Sequence, residues 1–73
     1  MGGQNINIVR DPKQGPRPGD VLLRHGITWK VSRVYQDQWG ERKWWVELNS
    51  STAIPLSHWR KWSLEAAVEV AAP

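Results

Sequence analysis

Apolar and polar residues alternate along two segments in the middle of the chain. The first segment, ITWKVSRVY, has apolar side chains at Ile27, Trp29 and Val31. The second, ERKWWVEL over residues 41–48, has them at Trp44, Val46 and Leu48. A period of two predicts β-strands that turn one face toward a core. The first alternation slips after Val31, which predicts a β-bulge or sharp bend near Ser32 and Arg33.

The second of these strands places two neighbouring tryptophans on opposite faces. Trp44 shares the apolar face with Val46 and Leu48, whereas Trp45 shares the other face with Lys43 and Glu47. The pattern therefore predicts one indole in the core and one on a charged surface.

Turn-forming residues separate the remaining predicted elements. Residues 21–23 form a short apolar strand that a His25-Gly26 turn follows, and residues 52–56 form a last strand after a turn at 49–51. Pro55 cannot donate a ladder hydrogen bond, so this strand lies at an edge or ends there. Ser57 is predicted to cap a helical turn, and Ser63 to open a second helix with a narrow apolar stripe.

This order of elements resembles a small SH3-like barrel. The likeness covers about residues 19–62, through GDVLLRHGITWKVSRV, WWVEL and AIPLSHW. It implies an all-β fold of four to five short antiparallel strands with a helical turn or short helix at the C-terminus. Residues 1–18 are then a flexible, basic, Pro/Gly-rich leader, and residues 63–73 a short C-terminal helix or tail. Plasmid-type dihydrofolate reductases have a similar opening, but residues 52–55 read TAIP in place of their catalytic Val-Gln-Ile-Tyr.

The alternation also predicts which side chains are buried. Trp59 should close one end of the barrel, with Arg60 and Lys61 facing water, and residues 1–15 and the last alanines should be mobile. The predicted core is Trp29, Val31, Trp44, Val46, Leu48, Ile54 and Leu56, with Val21 or Leu23 opposite.

Size and charge narrow the range of possible functions. Seventy-three residues form one domain, and six tryptophans supply much of its apolar area. The absence of cysteine and of a long apolar run predicts a cytoplasmic protein without a membrane segment. The net charge is +3, but residues 1–62 hold ten basic and five acidic residues, a balance of +5 that favours polyanionic partners.

The sequence contains no enzyme motif. Its two histidines, His25 and His58, form no metal-ligand spacing, and neither a nucleophile motif nor a glycine-rich phosphate loop occurs. We therefore predict a non-enzymatic binding module without cofactor or metal.

Basic residues interleaved with aromatic ones are the remaining signal. Cations hold phosphates and an exposed indole can stack on a base, so the first hypothesis is nucleic-acid binding. The size is typical of an accessory factor of a phage, plasmid or bacterial regulatory system. A protein partner is the alternative, through a peptide groove, a cation cage or a homo-oligomer interface. The candidate site residues are Trp45, Lys43, Lys30, Arg42, Arg33 and Trp39.

Overall fold

The computed structural model describes residues 10–73, which form one mostly β domain. Five antiparallel strands make one sheet in the order β4-β3-β2-β1-β5. The sheet is not closed, since β4 and β5 form its two edges. The elements are β1 (Val21–Arg24), β2 (Ile27–Gln36), β3 (Trp44–Leu48), β4 (Thr52–Pro55), α1 (Leu56–Trp62), a 3-10 turn (Ser63–Glu65) and β5 (Ala67–Val70).

The long strand β2 serves both halves of the sheet. Its residues 27–30 pair with β1, and its residues 31–36 pair with β3. The register shifts between Val31 and Arg33, which confirms the predicted irregularity. Ser32 occupies this bulge, where its hydroxyl donates to Glu47 Oε1 at 3.0 Å and accepts from the Ser50 N–H at 2.9 Å.

Two tight turns join the strands at the predicted places. His25 and Gly26 both adopt positive φ, at 53° and 74°, and connect β1 to β2. Asn49 and Ser50 adopt φ of 52° and 58° between β3 and β4. Paired residues with positive φ match the twist of a two-stranded antiparallel ribbon, so both turns are hairpin connections.

The core lies between the sheet and α1. Its buried apolar residues are Leu22, Val31, Val46, Leu48, Trp59 and Ala66. The predictions for Val31, Val46, Leu48 and Trp59 are thus confirmed. The prediction of Val21 or Leu23 is wrong, because their neighbour Leu22 is the β1 residue that points inward.

The prediction that Trp44 belongs to the core is also wrong, since 48% of its surface is exposed. Trp44 lies on the same side of β3 as Val46, as the alternation requires. However, it begins the strand and faces Gln36, the last residue of β2. The β2–β3 pairing ends there, so no further strand pair of the described residues covers the indole.

Three other tryptophans pack together at the helix side of the domain. The Trp62 ring lies 5.8 Å from the Trp29 ring in an edge-on arrangement and 5.4 Å from the Trp59 ring. The Arg24 guanidinium lies 5.4 Å from the Trp62 ring centroid. Trp59 is fully buried, whereas Arg60 and Lys61 are exposed as predicted.

The C-terminal segment departs from the predicted second helix. The helical run stops with the 3-10 turn, Ala66 is extended, and β5 pairs with the open edge of β1. Leu64, an apolar residue in the segment predicted to form this helix, is 67% exposed. Pairing with β5 gives hydrogen-bond partners to the backbone groups at the edge of β1. A short, marginal helix in the same segment would have left these groups without partners.

The described part of the leader is packed, in contrast to the flexible segment predicted for residues 1–18. The buried Trp59 Nε1–H donates to the Pro12 carbonyl at 3.0 Å, and Arg60 Nε donates to the Gln14 carbonyl at 2.9 Å. Pro12 and Gln14 therefore hold this part of the leader against α1. Residues 1–9, for which mobility was also predicted, lie outside the described residues.

A buried carboxylate joins the leader to the C-terminal segment. Asp20 is fully buried and accepts hydrogen bonds from Arg10 Nη1 and Nη2 at 2.8 and 2.6 Å, and from the Arg17 and Ala72 N–H groups at 2.7 Å each. Burial by itself would raise the pKa of Asp20. The hydrogen bonds from Arg10, Ala72 and Arg17 outweigh it, so the pKa lies below its ordinary value. We call this arrangement the Asp20 clasp.

Candidate functional site

The two adjacent tryptophans of β3 line two different depressions. Trp44 lies in a small cleft of about 210 Å³ between the start of β3 and the β4–α1 junction. We call it the Trp44 cleft, lined by Lys43, Trp44, Pro55, Leu56, Ser57 and Arg60. The chain turns directly from β4 into α1 at Pro55 and Leu56, which brings the helix beside the exposed indole.

The Trp44 cleft combines an aromatic surface with positive charge. Among residues 10–73 no acid lines it, and Lys43 and Arg60 contribute two cations. Lys43 has only a long contact with Glu41, 3.8 Å between Nζ and Oε1, and both side chains are mostly exposed. The attraction within such an exposed ion pair is weak, so Lys43 can exchange Glu41 for another anion. Helix α1 has no acid in its first turn and carries Lys61 beside Arg60, so its surface extends the positive region.

Trp45 lines a larger cavity of about 480 Å³ on the opposite face of the sheet. In the register of the sheet it stands directly across from Tyr35 on β2 and Pro55 on β4. Trp39 in the β2–β3 loop forms another wall and is 81% exposed. We call this the aromatic cavity, lined by Tyr35, Gln36, Asp37, Gln38, Trp39, Trp45 and Ala53.

The electrostatic character of the aromatic cavity differs from that of the cleft. Asp37 is the one charged residue among its lining residues in the described chain. Its Oδ1 accepts the Trp39 N–H at 2.8 Å, which ties the loop back toward the strand. Beside the cavity, the Arg33 guanidinium carbon stands 4.3 Å from the Tyr35 ring centroid, and Arg33 Nη2 reaches Glu47 Oε2 at 3.4 Å.

The six candidate residues do not form one surface. Trp45 and Trp39 line the aromatic cavity, with Arg33 at its side. Lys43, expected on the face of Trp45, lines the cleft with Trp44. The other two lie in further depressions: Lys30 in one with Asn49 and Ser50, and Arg42 in one with Asp37 and Gln38 that adjoins the aromatic cavity.

Sequence reasoning missed the residues that complete the cleft. Arg60 stood in the basic and aromatic run of residues 58–62 but was predicted only to face water. Pro55 was noted only as an edge residue, although a proline before a helix also fixes where the chain turns. The signal that could have joined them to Trp44 is the absence of any linker between β4 and α1.

Comparison with protein-family models, curated proteins and solved structures finds no match for this chain. Within residues 10–73, no group of three or more His, Asp or Glu side chains is placed to hold a metal ion. No helix in that range is long and apolar enough to cross a membrane. The site must therefore be interpreted from its own geometry and charge.

Proposed function

We propose that the protein is a small binding module that takes single-stranded nucleic acid in the Trp44 cleft. The observation that carries the proposal is a cleft in which the half-exposed Trp44 indole stands with two cations, Lys43 and Arg60, and which no acid of the described chain lines. A base can stack on such a ring while the cations contact the flanking phosphates. The proposed role involves no catalysis.

The charge balance supports the cleft over the aromatic cavity as the place where a polyanion binds. Four basic residues are engaged with acids: Arg10, Arg24, Arg33 and Lys43. Arg60 and Lys61 on α1 have no acidic partner within 4.0 Å in the described residues, and Lys13 lies on the leader that packs against this helix. Arg60 therefore brings an unpaired cation to the cleft, whereas no described basic residue lines the aromatic cavity. Lys30 and Arg42, which also lack an acidic partner in the described residues, line other depressions.

An acidic peptide is the second candidate for the same cleft. Trp44, Pro55 and Leu56 supply apolar contact area, and two basic side chains would attract carboxylates. The two candidates differ in salt dependence, because nucleic acid releases condensed counterions and an apolar peptide contact does not.

Two further parts of the proposal concern the fold and the cellular compartment. We propose that the bent sheet is an SH3-like barrel, because one long strand with a bulge is shared between the two halves of the sheet. Nuclear Overhauser effects between backbone protons of β4 and β5 would test whether these two edge strands pair and close the barrel. We also propose that the protein works in the cytoplasm, from its lack of cysteine.

A fluorescence-polarisation titration tests the nucleic-acid proposal. Labelled short single strands and duplexes are titrated with the full chain at two salt concentrations. Trp44→Ala should weaken single-strand binding by roughly 1–3 kcal/mol, the contribution of one stacked base. Trp39→Ala is the matched control, because it removes a more exposed indole from the other surface.

Three results would contradict the proposal. They are no binding to either strand at low salt by a folded protein, equal losses from Trp44→Ala and Trp39→Ala, and a tighter complex with duplex than with single strand. Binding of an acidic peptide with little salt dependence would favour the second candidate. A mass that rises with protein concentration, with no ligand added, would indicate a homo-oligomer.

A further inference from the structure

The aromatic cavity has a chemistry that the proposed function does not use. Three aromatic side chains, Tyr35, Trp39 and Trp45, line it together with the carboxylate of Asp37. A polyanion has little reason to enter a site whose one charged lining group is negative. A positively charged ligand fits the site, because aromatic faces and a carboxylate both attract cations.

Among the described residues, the three rings form no close ring–ring pair with one another. The close pairs in that range are Trp29 with Trp62 and Trp59 with Trp62. Stacking within the cluster therefore does not occupy these rings, whose faces carry negative potential.

The chain already places one of its own cations on this cluster. The Arg33 guanidinium lies over the Tyr35 ring, 4.3 Å from its centroid, and is held there by Glu47. Arg33 is not among the described residues that line the cavity, so Tyr35 accepts this cation without the cavity being filled.

The Asp37 carboxylate can also form an ion pair with a ligand. Asp37 Oδ1 accepts the Trp39 N–H, and among the described residues no base lies within 4.0 Å of this carboxylate to form an ion pair. Arg42 lines the adjoining depression and not the cavity itself. Asp37 therefore keeps a negative charge at the rim that no described cation neutralises.

We propose that the aromatic cavity binds an organic cation of the quaternary-ammonium class. Such a cation is weakly hydrated, so it loses little by leaving water for aromatic walls, and Asp37 supplies the counter-charge. The headgroup can belong to a free molecule such as choline or to a trimethylated lysine in a partner protein. A cavity of about 480 Å³ has room for the headgroup together with part of the chain that carries it.

Choline and its neutral isostere 3,3-dimethylbutan-1-ol provide the test. Amide and indole N–H signals of the full chain are followed by NMR during titration with each compound. Choline should shift the signals of residues 35–39 and Trp45, and the isostere should bind about tenfold more weakly, because it has the shape without the charge. Titration with a trimethyl-lysine peptide and with its unmethylated form identifies the source: a peptide tighter than choline indicates a protein partner.

Four variants assign the effect to the cavity. Trp39→Ala should weaken choline binding about fivefold, as should Asp37→Asn. Trp44→Ala is the matched tryptophan control on the opposite face and should leave choline affinity unchanged. Arg42→Gln removes a neighbouring positive charge and should leave the affinity unchanged or raise it. The dispersed amide spectrum of each variant shows in the same experiment whether it is folded.

The proposal is overturned if no cavity signal shifts at choline concentrations up to about 100 mM, far above the millimolar range of weak ligands. It is also overturned if the neutral isostere binds equally well, because the cavity would then be merely apolar. Weaker choline binding in Arg42→Gln together with tighter binding in Asp37→Asn would also overturn it, because both charge effects would be opposite to those that a bound cation requires. None of these results depends on whether the Trp44 cleft binds nucleic acid.

Discussion

The Trp44 cleft and the aromatic cavity lie on opposite sides of the same strand and differ in how the chain builds them. Apart from Ala53, the cavity comes from one hairpin, residues 35–45. The cleft joins the start of β3 to the β4–α1 junction and to Arg60 on the helix. The first is therefore a local structure, whereas the second exists only when α1 docks.

The charged residues that line the two sites also differ. Lining charges are two cations in the cleft and one carboxylate in the cavity. The strand pleat alone sends neighbouring side chains to opposite faces, so two identical indoles come to serve two different electrostatic environments. Binding preference in this domain is thus set by what surrounds each tryptophan and not by the ring itself.

The largest expected effect concerns the docking of α1. Trp59→Ala removes the fully buried ring that α1 contributes to the core, together with its hydrogen bond to Pro12, and should lower the free energy of unfolding by about 3–5 kcal/mol. Urea unfolding of the variant, followed by far-UV circular dichroism, measures the loss. If the two surfaces belong to one cooperative unit, probes of both should unfold together. A cavity that survived loss of the cleft would show that the hairpin is independently stable.

The next effect concerns the Asp20 clasp, which secures the leader beside α1. Asp20→Ala should cost about 3 kcal/mol, because it breaks a buried ion pair and leaves two N–H groups without their acceptor. Guanidinium unfolding at neutral pH measures the loss, with Glu69→Ala as a control at an exposed acid. A loss below about 0.5 kcal/mol, the usual effect of a surface change, would contradict the clasp.

The same clasp predicts an acid response. The pKa of Asp20 is lower in the folded chain than its ordinary value of 3.8. Its stabilising contribution is therefore complete above that value and is lost as the pH falls through the folded pKa. Amide signals of the leader and Arg60 should therefore shift in acid only below the ordinary value of 3.8. In Asp20→Asn this shift should vanish, and its persistence would assign it to another group.

A smaller effect separates the two tryptophans directly. Trp44→Ala should cost about 2 kcal/mol, because roughly half of a large ring loses its contacts. Trp45→Ala should cost more, since this ring is less exposed and stands between two cross-strand neighbours. Parallel denaturation curves check the order. The reverse order would mean that the cleft is more tightly packed than its exposure indicates.

The smallest effect is a change in salt dependence. Lys43→Ala should reduce the slope of log affinity for single-stranded nucleic acid against log salt by about 1, if its ammonium contacts a phosphate. Lys30→Ala removes the same charge from a depression away from the cleft and should leave the slope unchanged. Polarisation titrations at several salt concentrations measure both. Equal slopes for the two variants would point to diffuse attraction over the whole surface.

Features that depend on local pattern could be predicted from the sequence. The alternation located β2 and β3, the slip after Val31 revealed the bulge, and the turn residues located both tight hairpin connections. The opposite orientation of Trp44 and Trp45 also followed from the pleat. These features require only neighbouring residues, and the sequence contains those neighbours explicitly.

Features that depend on distant partners were missed. The exposure of Trp44 follows from where β2 ends, and β5 exists because the edge of β1 is open to it. The order in residues 10–18 comes from carbonyl groups that accept from Trp59 and Arg60, some 46 residues away. No periodicity encodes such long-range pairings, so the composition of the Trp44 cleft could not be derived from the pattern.

The Asp20 clasp has a topological consequence. Arg10 Nη2 donates to the Ala72 carbonyl at 2.6 Å, so two points separated by 62 residues of chain stand side by side. A domain with adjacent entry and exit points can be inserted into a surface loop of a host protein without spreading that loop. Joining the same two points covalently would restrict the unfolded chain, a constraint worth roughly 4 kcal/mol in the chain-entropy model of cross-links. Circular permutants opened at the 49–51 turn would keep the sheet order while exchanging which strand is synthesised first.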